Sequence, residues 1–349
     1  MNIDEKYMLR CIELGKNGLG TTAPNPMVGC VIVHNNKIVG EGFTSPYGGP
    51  HAEVNAINSV KQKSILQDST LYVTLEPCFH YGKTPPCVNL ILKYKISKVV
   101  IGLKDTNPKV AGKSIQLLKE AGRKVAVGVL EKECRAHHKR FLSFQEKKRP
   151  YIILKWAETL DGFIAPEKSM REKEPQPFWI TNEKSKQLVH RWRSQEQAIL
   201  VGTNTILKDN PKLNVRHWKG KNPIRIFIDK SLKTRSDYNV LDSSVKTIII
   251  TAIKDESKYI PGVDYDVTEF KDLPVEICGI LHKHEITSVI IEGGTKTLQS
   301  FIDSRLWDEA RIFAGTNTFD KGVKAPQISG KLLSERKIVN DKLTILKND

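Results

Sequence analysis

Apolar positions in the first 150 residues switch repeatedly between a helical and a strand period. Tyr7, Met8, Cys11, Ile12 and Leu14 recur at near-helical spacing over residues 5–14, and Gly15 and Gly18 end that run. Two prolines make residues 22–26 (Thr-Ala-Pro-Asn-Pro) a rigid loop. The β-branched run 28–33, the Asn35-Asn36 turn and residues 37–43 read as a hairpin. Gly48-Gly49-Pro50 then precedes His51, and Val54, Ala56, Ile57 and Val60 return to helical spacing, so His51 and Glu53 fall in a first turn. A strand at 70–75 leads into Glu76-Pro77-Cys78. Beyond Cys87 the pattern predicts helix to 92, strand 98–103, helix 113–121, strand 124–129 and one closing helix to about 144. A hairpin followed by alternating helix and strand predicts a three-layer α/β/α domain.

A polar hinge at 145–150 (Gln-Glu-Lys-Lys-Arg-Pro) separates this from a new apolar strand at 151–156. We therefore place one domain at 1–146 and a second at 150–349. Residues 168–177, charged and proline-bearing, read as an exposed loop. Thr181 or Asn182 caps a helix through Leu188, Val189 and Trp192, and strands follow at 198–201, 224–229 and 247–251. A helix near 275–282, a strand at 288–291, a helix to 302 and strands near 311–314 and 343–346 complete a mostly parallel, β-rich α/β domain.

Bulk properties narrow the class. At 349 residues two domains can each bury a core. The amino terminus lacks a charged-then-apolar leader pattern, and no apolar run approaches the roughly 18 residues of a membrane span, so we expect a cytoplasmic protein with no membrane partner. Six cysteines, few and unevenly spaced, fit metal or catalytic use better than a disulfide framework. Cys11 and Cys30 lie on apolar faces and read as core. The net charge of +16 is spread along the chain. A solvated basic surface, a nucleic-acid footprint and attraction of an anionic small substrate all remain compatible with it. The second half, however, shows no basic stripe interleaved with aromatics, which argues against an RNA-binding module.

The chemistry concentrates between His51 and Cys87. One imidazole and two thiols match a catalytic zinc site, which takes three protein ligands and leaves a position for water. Glu53 stands where a carboxylate can carry a proton from that water to a ring nitrogen and a leaving amine. The bland reading is a first-turn acid beside a zinc that only staples loops. Zinc deaminases commonly carry Pro-Cys-x-x-Cys, whereas eight residues separate Cys78 from Cys87 here. The loop 79–86 must therefore bulge and return, which keeps His80 open as an alternative ligand. In the second half Gly293-Gly294 joins a strand to a helix, a place where backbone amides can hold phosphate. No Gly-x-Gly-x-x-Gly fingerprint supports a Rossmann domain.

His51-Ala52-Glu53, the run Glu76-Pro77-Cys78-Phe79-His80-Tyr81-Gly82-Lys83-Thr84-Pro85-Pro86-Cys87, Pro24-Asn25-Pro26 and residues 105–112 together resemble the bifunctional deaminase/reductases of bacterial riboflavin biosynthesis. The resemblance runs from about residue 5 to 346. It implies a cytidine-deaminase-like first domain with zinc on His51, Cys78 and Cys87, Glu53 as proton carrier, and substrate contacts at Asn25 and Lys83. In the second half, Leu154-Lys155-Trp156-Ala157, Leu160-Asp161-Gly162, Trp179-Ile180-Thr181, Gly202-Thr203-Asn204-Thr205, Asp209-Asn210-Pro211-Lys212-Leu213 and Ile291-Glu292-Gly293-Gly294 are similar to the reductase half of that family. That half is dihydrofolate-reductase-like and NADPH-dependent. Its cofactor contacts fall on Ala157, Trp179, Thr205, Asp209, Gly294, Thr295, Lys296, Thr297, Leu298, Gln299 and Ser300. Its substrate contacts fall on Arg193, Leu213, Arg216 and Glu292, with Lys155 expected beside the reacting carbon. Arg193 and Arg216 suit a ribose-bound phosphate because a guanidinium fork matches its oxygens. Three departures stand out: Thr44 replaces a histidine, Pro177-Phe178 a small polar residue and Lys230 a small residue. The implied activity is zinc-dependent deamination of a phosphoribosylated diaminopyrimidinone, then NADPH-dependent reduction of its ribosyl group. The expected partner is that small phosphoribosyl-pyrimidine, with no nucleic acid, and the expected assembly is a homo-oligomer.

Overall fold

The computed structural model describes residues 2–79, 81, 85–107, 111–167 and 175–348, in two compact units, 1–147 and 148–349. In the first unit, helix α1 (Ile3–Gly15) is closed at its start by a reciprocal capping box between Asn2 and Glu5. Strands β1 (Gly29–His34) and β2 (Lys37–Phe43) form the hairpin, and helix α2 (Ala52–Ser59) leads to β3 (Thr70–Val73). Helix α3 (Cys87–Lys93), β4 (Lys98–Ile101), α4 (Lys113–Glu120) and β5 (Lys124–Val127) alternate as the hydrophobic period requires. Among the described residues the sheet has order β2-β1-β3-β4-β5, antiparallel through the first three strands and parallel thereafter.

Both faces of this sheet are covered at contact distance. A Cβ on Gly29 would collide with the Cys11 carbonyl of α1. On the other face Gly40 and Gly42 let α2 lie directly on β2; a Cβ on Gly40 would sit 2.5 Å from Ala56 O. That close approach sets the height of α2 above the sheet, and with it His51 and Glu53. Cys11 and Cys30 are fully buried in the intervening core.

The closing helix is two helices, α5 (Glu131–His137) and α6 (Lys139–Lys147). The break falls at His138, which turns fully into the core, where its Nε2 lies 3.0 Å from Thr74 Oγ1. A specific buried polar pair overrides the helical period there.

The second unit is built on β6 (Tyr151–Glu158), β8 (Ala198–Val201), β9 (Ile224–Ile228), β10 (Thr247–Thr251), β12 (Ser288–Gly293) and β13 (Glu309–Ala314), with β7 (Phe163–Pro166) beside them. Strands β11 (Asp264–Val267), β14 (Gly322–Lys324), β15 (Lys331–Ile338) and β16 (Asp341–Lys347) complete it. Its large sheet runs β11-β10-β9-β8-β12-β6-β13-β16-β15 among the described residues, parallel as far as β13 and antiparallel at β16 and β15. Ile152, Leu154 and Trp156 feed one core while Tyr151 and Ile153 feed the other, so both faces are buried and the strands read as continuous apolar runs. Helices α7 (Glu183–Gln195), α8 (Thr203–Asp209), α9 (Leu273–Lys283) and α10 (Thr295–Asp303) connect them. Asn182, not Thr181, caps α7, accepting from Ser185 N at 3.1 Å. Of the expected loop 168–177, residues 168–174 lie outside the described residues and 175–177 are exposed.

Arg149, at the start of this unit, forms a bidentate, nearly buried pair with Asp308 at 2.6 and 3.0 Å, and the same carboxylate accepts from Ile152 N. Removing one partner strands a charge in the interior. We therefore expect Asp308→Ala to cost about 3–5 kcal/mol in urea unfolding. The double change Arg149→Met with Asp308→Leu recovers most of that loss.

Candidate functional site

In the first unit two helix starts converge. His51 is the N-cap residue of α2, with extended backbone (φ −75°, ψ 166°), and Cys87 is the first residue of α3. Cys78 lies on the segment that leaves β3. His51 Nδ1 is 3.5 Å from Cys78 Sγ and 3.3 Å from Cys87 Sγ, and the three ligand atoms all lie within 4.8 Å of one another. Tetrahedral zinc with ordinary Zn–N and Zn–S bonds would hold such a nitrogen and sulfur roughly 3.5 Å apart. The donor set and its spacing therefore fit a zinc site with a fourth position open.

Electrostatics favour that reading. The Cys78 thiol is lowered to about 4, chiefly by a hydrogen bond from Cys87 and, against the opposing effect of burial, by His51. The Cys87 backbone N–H also donates to Cys78 Sγ at 3.2 Å. Glu53, in the first turn of α2, is almost fully buried, and burial followed by the nearby Cys78 pushes its carboxyl up to about 7. A carboxyl poised near neutrality can both take and give a proton.

The supporting loops are held by a residue that spacing did not single out. Glu76 is buried and accepts from Asp105 N (3.2 Å), Gly112 N (2.9 Å) and Ser114 Oγ (2.8 Å). One carboxylate thus ties the Pro77-Cys78 segment to the start of α4. Its sequence signal was its place directly before Pro-Cys. Asn55 does the same for α2, donating to Phe43 O (2.8 Å) and Ser45 Oγ (2.9 Å).

In the second unit a cavity of about 1920 Å³ opens at the carboxyl ends of β6, β8, β9 and β12, where open α/β sheets bind ligands. Ala157, Trp179, Thr205 and Asp209 line it, as do Gly294, Thr295, Lys296, Thr297, Leu298 and Ser300 around the start of α10. Gln299 does not; its side-chain amide is spent on Asp303 Oδ1 and on both backbone groups of Gln327. Its position on α10 turns it away while its neighbours face in. Lys155, Arg193, Leu213, Arg216 and Glu292 also line the cavity. Glu292 is held down to about 2: burial opposes its charge, but Arg193 and Lys155 outweigh it. Burial lowers Lys155 from the usual lysine range.

Two models of known families match the chain: the zinc-binding region of cytidine and deoxycytidylate deaminases over residues 1–103, and the RibD C-terminal domain over 150–319. The riboflavin biosynthesis protein RibD of Actinobacillus pleuropneumoniae is 41% identical over 319 residues, covering 89% of this chain and 83% of its own length. That of Aquifex aeolicus is 37% identical, covering 95% and 92%. The chain belongs to the RibD family. A Thermotoga maritima structure titled as a diaminohydroxyphosphoribosylaminopyrimidine deaminase/5-amino-6-(5-phosphoribosylamino)uracil reductase superposes with TM-score 0.89 at 36% identity, covering 99% of each chain. Like other RibD proteins, this is a bifunctional deaminase and reductase of riboflavin biosynthesis, a cytidine-deaminase-like α/β/α domain followed by a dihydrofolate-reductase-like one.

Asn25 is half-buried in the turn before β1, its N–H donating to Thr22 O, and no hydrogen bond joins it to the zinc-ligand cluster among the described residues. Lys83 and the alternative ligand His80 lie outside the described residues. Thr44 is buried, and its hydroxyl accepts from Val28 N at 3.1 Å, so it braces β1. Phe178 packs edge-on against Phe319, and Lys230 lines the cavity with its ammonium 5.2 Å from the Phe270 ring centroid.

Metal analysis checks the ligand set. The wild-type chain should carry close to one equivalent of zinc, and Cys87→Ala should lose most of it. A Cys87→Ala chain that retains its zinc would move the third ligand elsewhere.

Proposed function

We propose that the first unit hydrolytically deaminates 2,5-diamino-6-(5-phosphoribosylamino)pyrimidin-4(3H)-one at His51, Cys78 and Cys87. The second unit then uses NADPH to reduce the ribosyl side chain, giving 5-amino-6-(5-phosphoribitylamino)uracil. The observation that carries this reading is the buried carboxyl of Glu53 beside an incomplete three-ligand set, joined in one chain to a large cavity at a sheet's carboxyl edge.

Zinc in the first site would supply a water acidic enough to ionise near pH 7. Glu53 would pass one proton of the attacking water to the ring nitrogen and the other, from the hydroxyl so added, to the amine, which leaves as ammonia. A structural zinc needs neither an open position nor a buried acid near neutrality beside it.

In the second unit NADPH would supply the hydride. The side chains and backbone at the start of α10 would receive its phosphates, since the first N–H groups of a helix lack internal partners. Gly293 and Gly294 keep that approach open; a Cβ on Gly293 would already crowd Thr205 Oγ1 at 3.1 Å. Trp179, half-exposed with the Lys186 ammonium 4.0 Å from its ring centroid, offers a flat wall for the nicotinamide end. Lys155 stands on β6 where its ammonium can donate to the sugar as hydride reaches the opened carbon. The assembly in this reading is a homo-oligomer.

The two halves separate in one experiment. Glu53→Ala should lower ammonia release from the diaminopyrimidinone about 10²–10⁴-fold while keeping its zinc. The same variant should oxidise NADPH at the wild-type rate when given the already deaminated pyrimidine. Steady deamination by Glu53→Ala would overturn the first assignment, and no NADPH oxidation by the wild type with the deaminated substrate would overturn the second.

A further inference from the structure

Trp179 lines the reductase cavity, yet the stretch that carries it, residues 175–179, is exposed and belongs to no helix or strand. A side chain on such a stretch samples several positions unless something holds it, and ordering it at the moment of binding costs affinity. Three contacts hold Trp179 beforehand. On one side of it in the chain, Phe178 lies edge-on against Phe319, with ring centroids 5.0 Å apart at 82°. On the other, Ile180 is buried and its backbone presses on Gly315, where a Cβ would sit 2.5 Å from Ile180 O. The Lys186 ammonium, paired with Glu183 at 2.7 Å, lies over the indole itself.

Gly315 and Phe319 belong to one segment, residues 315–320, between β13 and β14. That segment is tied to the turn between β6 and β7. Gly315 N donates to Glu158 O at 2.8 Å, and Leu160 N donates to Asn317 O at 2.9 Å. The Asp161 carboxylate then accepts from Phe319 N at 3.0 Å, from Asp320 N at 2.7 Å and from the Thr159 hydroxyl. Neither Asp161 nor Phe319 is among the residues that line the cavity, so both act at one remove from it. Phe319 is buried, whereas Phe178 remains 46% exposed. Core stability explains a contact with a half-exposed ring poorly; fixing the next residue, Trp179, explains it well.

We propose that Asp161, Phe319 and Phe178 form a brace of positioning residues that sets Trp179 for the nicotinamide half of the cofactor before the cofactor arrives. The brace rests on the NADPH reading above. It also gives one of the chain's departures, Phe178 beside Pro177, a task of its own.

Calorimetry with two probes tests the brace: NADPH, and the adenosine bisphosphate half of NADPH alone, which lacks the nicotinamide. Phe178→Ala should weaken NADPH binding about three- to tenfold, the cost of ordering one or two side chains, and leave binding of the adenosine half unchanged. Phe178→Tyr keeps the ring and should restore NADPH affinity. Asp161→Asn sets an amide N–H against backbone donors and should weaken NADPH binding alone to a similar degree. The double variant should show less than the sum of the two effects, because both act through Phe319. A second readout needs no ligand. Of the five tryptophans, Trp156, Trp192 and Trp307 are buried, so in a Trp218→Phe background acrylamide quenching of the fluorescence reports Trp179. Phe178→Ala should raise that quenching in the ligand-free protein, and Phe178→Tyr should not. Wild-type NADPH affinity or unchanged quenching in Phe178→Ala, an equal loss with both probes, or additive effects in the double variant overturns the brace while leaving the NADPH reading in place. Failure of the wild-type chain to bind NADPH overturns that reading, and the brace with it.

Discussion

Close backbone approach is the constraint on which the first catalytic centre depends. A metal site of three side chains needs its ligand atoms fixed to within a few tenths of an ångström. Here two of the three come from the starts of separate helices, α2 and α3. Gly40 and Gly42 strip β2 of side chains so that α2 can lie flat upon it, and Asn55 pins the other side of that helix to the 43–50 loop. Glu76 fixes the segment bearing Cys78 from below by gathering donors from the start of α4. Glu53 is then buried beside the ligands simply because it lies one residue inside a helix whose first turn is pressed into the core.

The reductase half solves a different problem by the same means. Its sheet is parallel where the cavity lies, so strand after strand ends at one edge, and three of them deliver a short polar run there: Gly202-Thr203, Asp229-Lys230, Glu292-Gly293. Apolar residues hold the sheet, and its polar residues gather towards that edge, with Lys155 three positions before the end of β6. The ion pair of Arg193 with Glu292 is nearly buried and bidentate, so it is costly to desolvate and is better explained by a need to hold a charge in place than by stability.

The chain itself disclosed much of this. The zinc-ligand types and Glu53 are legible because a histidine and a glutamate two apart, a strand-ending Pro-Cys and a second cysteine are rarely found together for other reasons. The alternation of strand and helix gave the layers of both domains. Other features were hidden for identifiable causes. Strand β15 is exposed on both faces, so residues 331–338 carry no period-two signal. Helix α8 is seven residues long, too short to establish a helical stripe. The break at His138 depends on Thr74, sixty-four positions away, and no local pattern reports it. The same limit applies to the arginines: spacing and resemblance could place Arg193 and Arg216 in one site, but only the fold brings Glu292 onto Arg193 and the neutral amide of Asn214 onto Arg216.

The central claim is that one chain performs both steps in sequence on one substrate. Its most direct test is the stoichiometry of ammonia released and NADPH oxidised when the zinc-loaded protein is given the phosphoribosylated diaminopyrimidinone. The account predicts one ammonia and one NADPH per substrate consumed, with the ribityl product identified by mass. Ammonia release without NADPH oxidation, or NADPH oxidation without ammonia release, would contradict it.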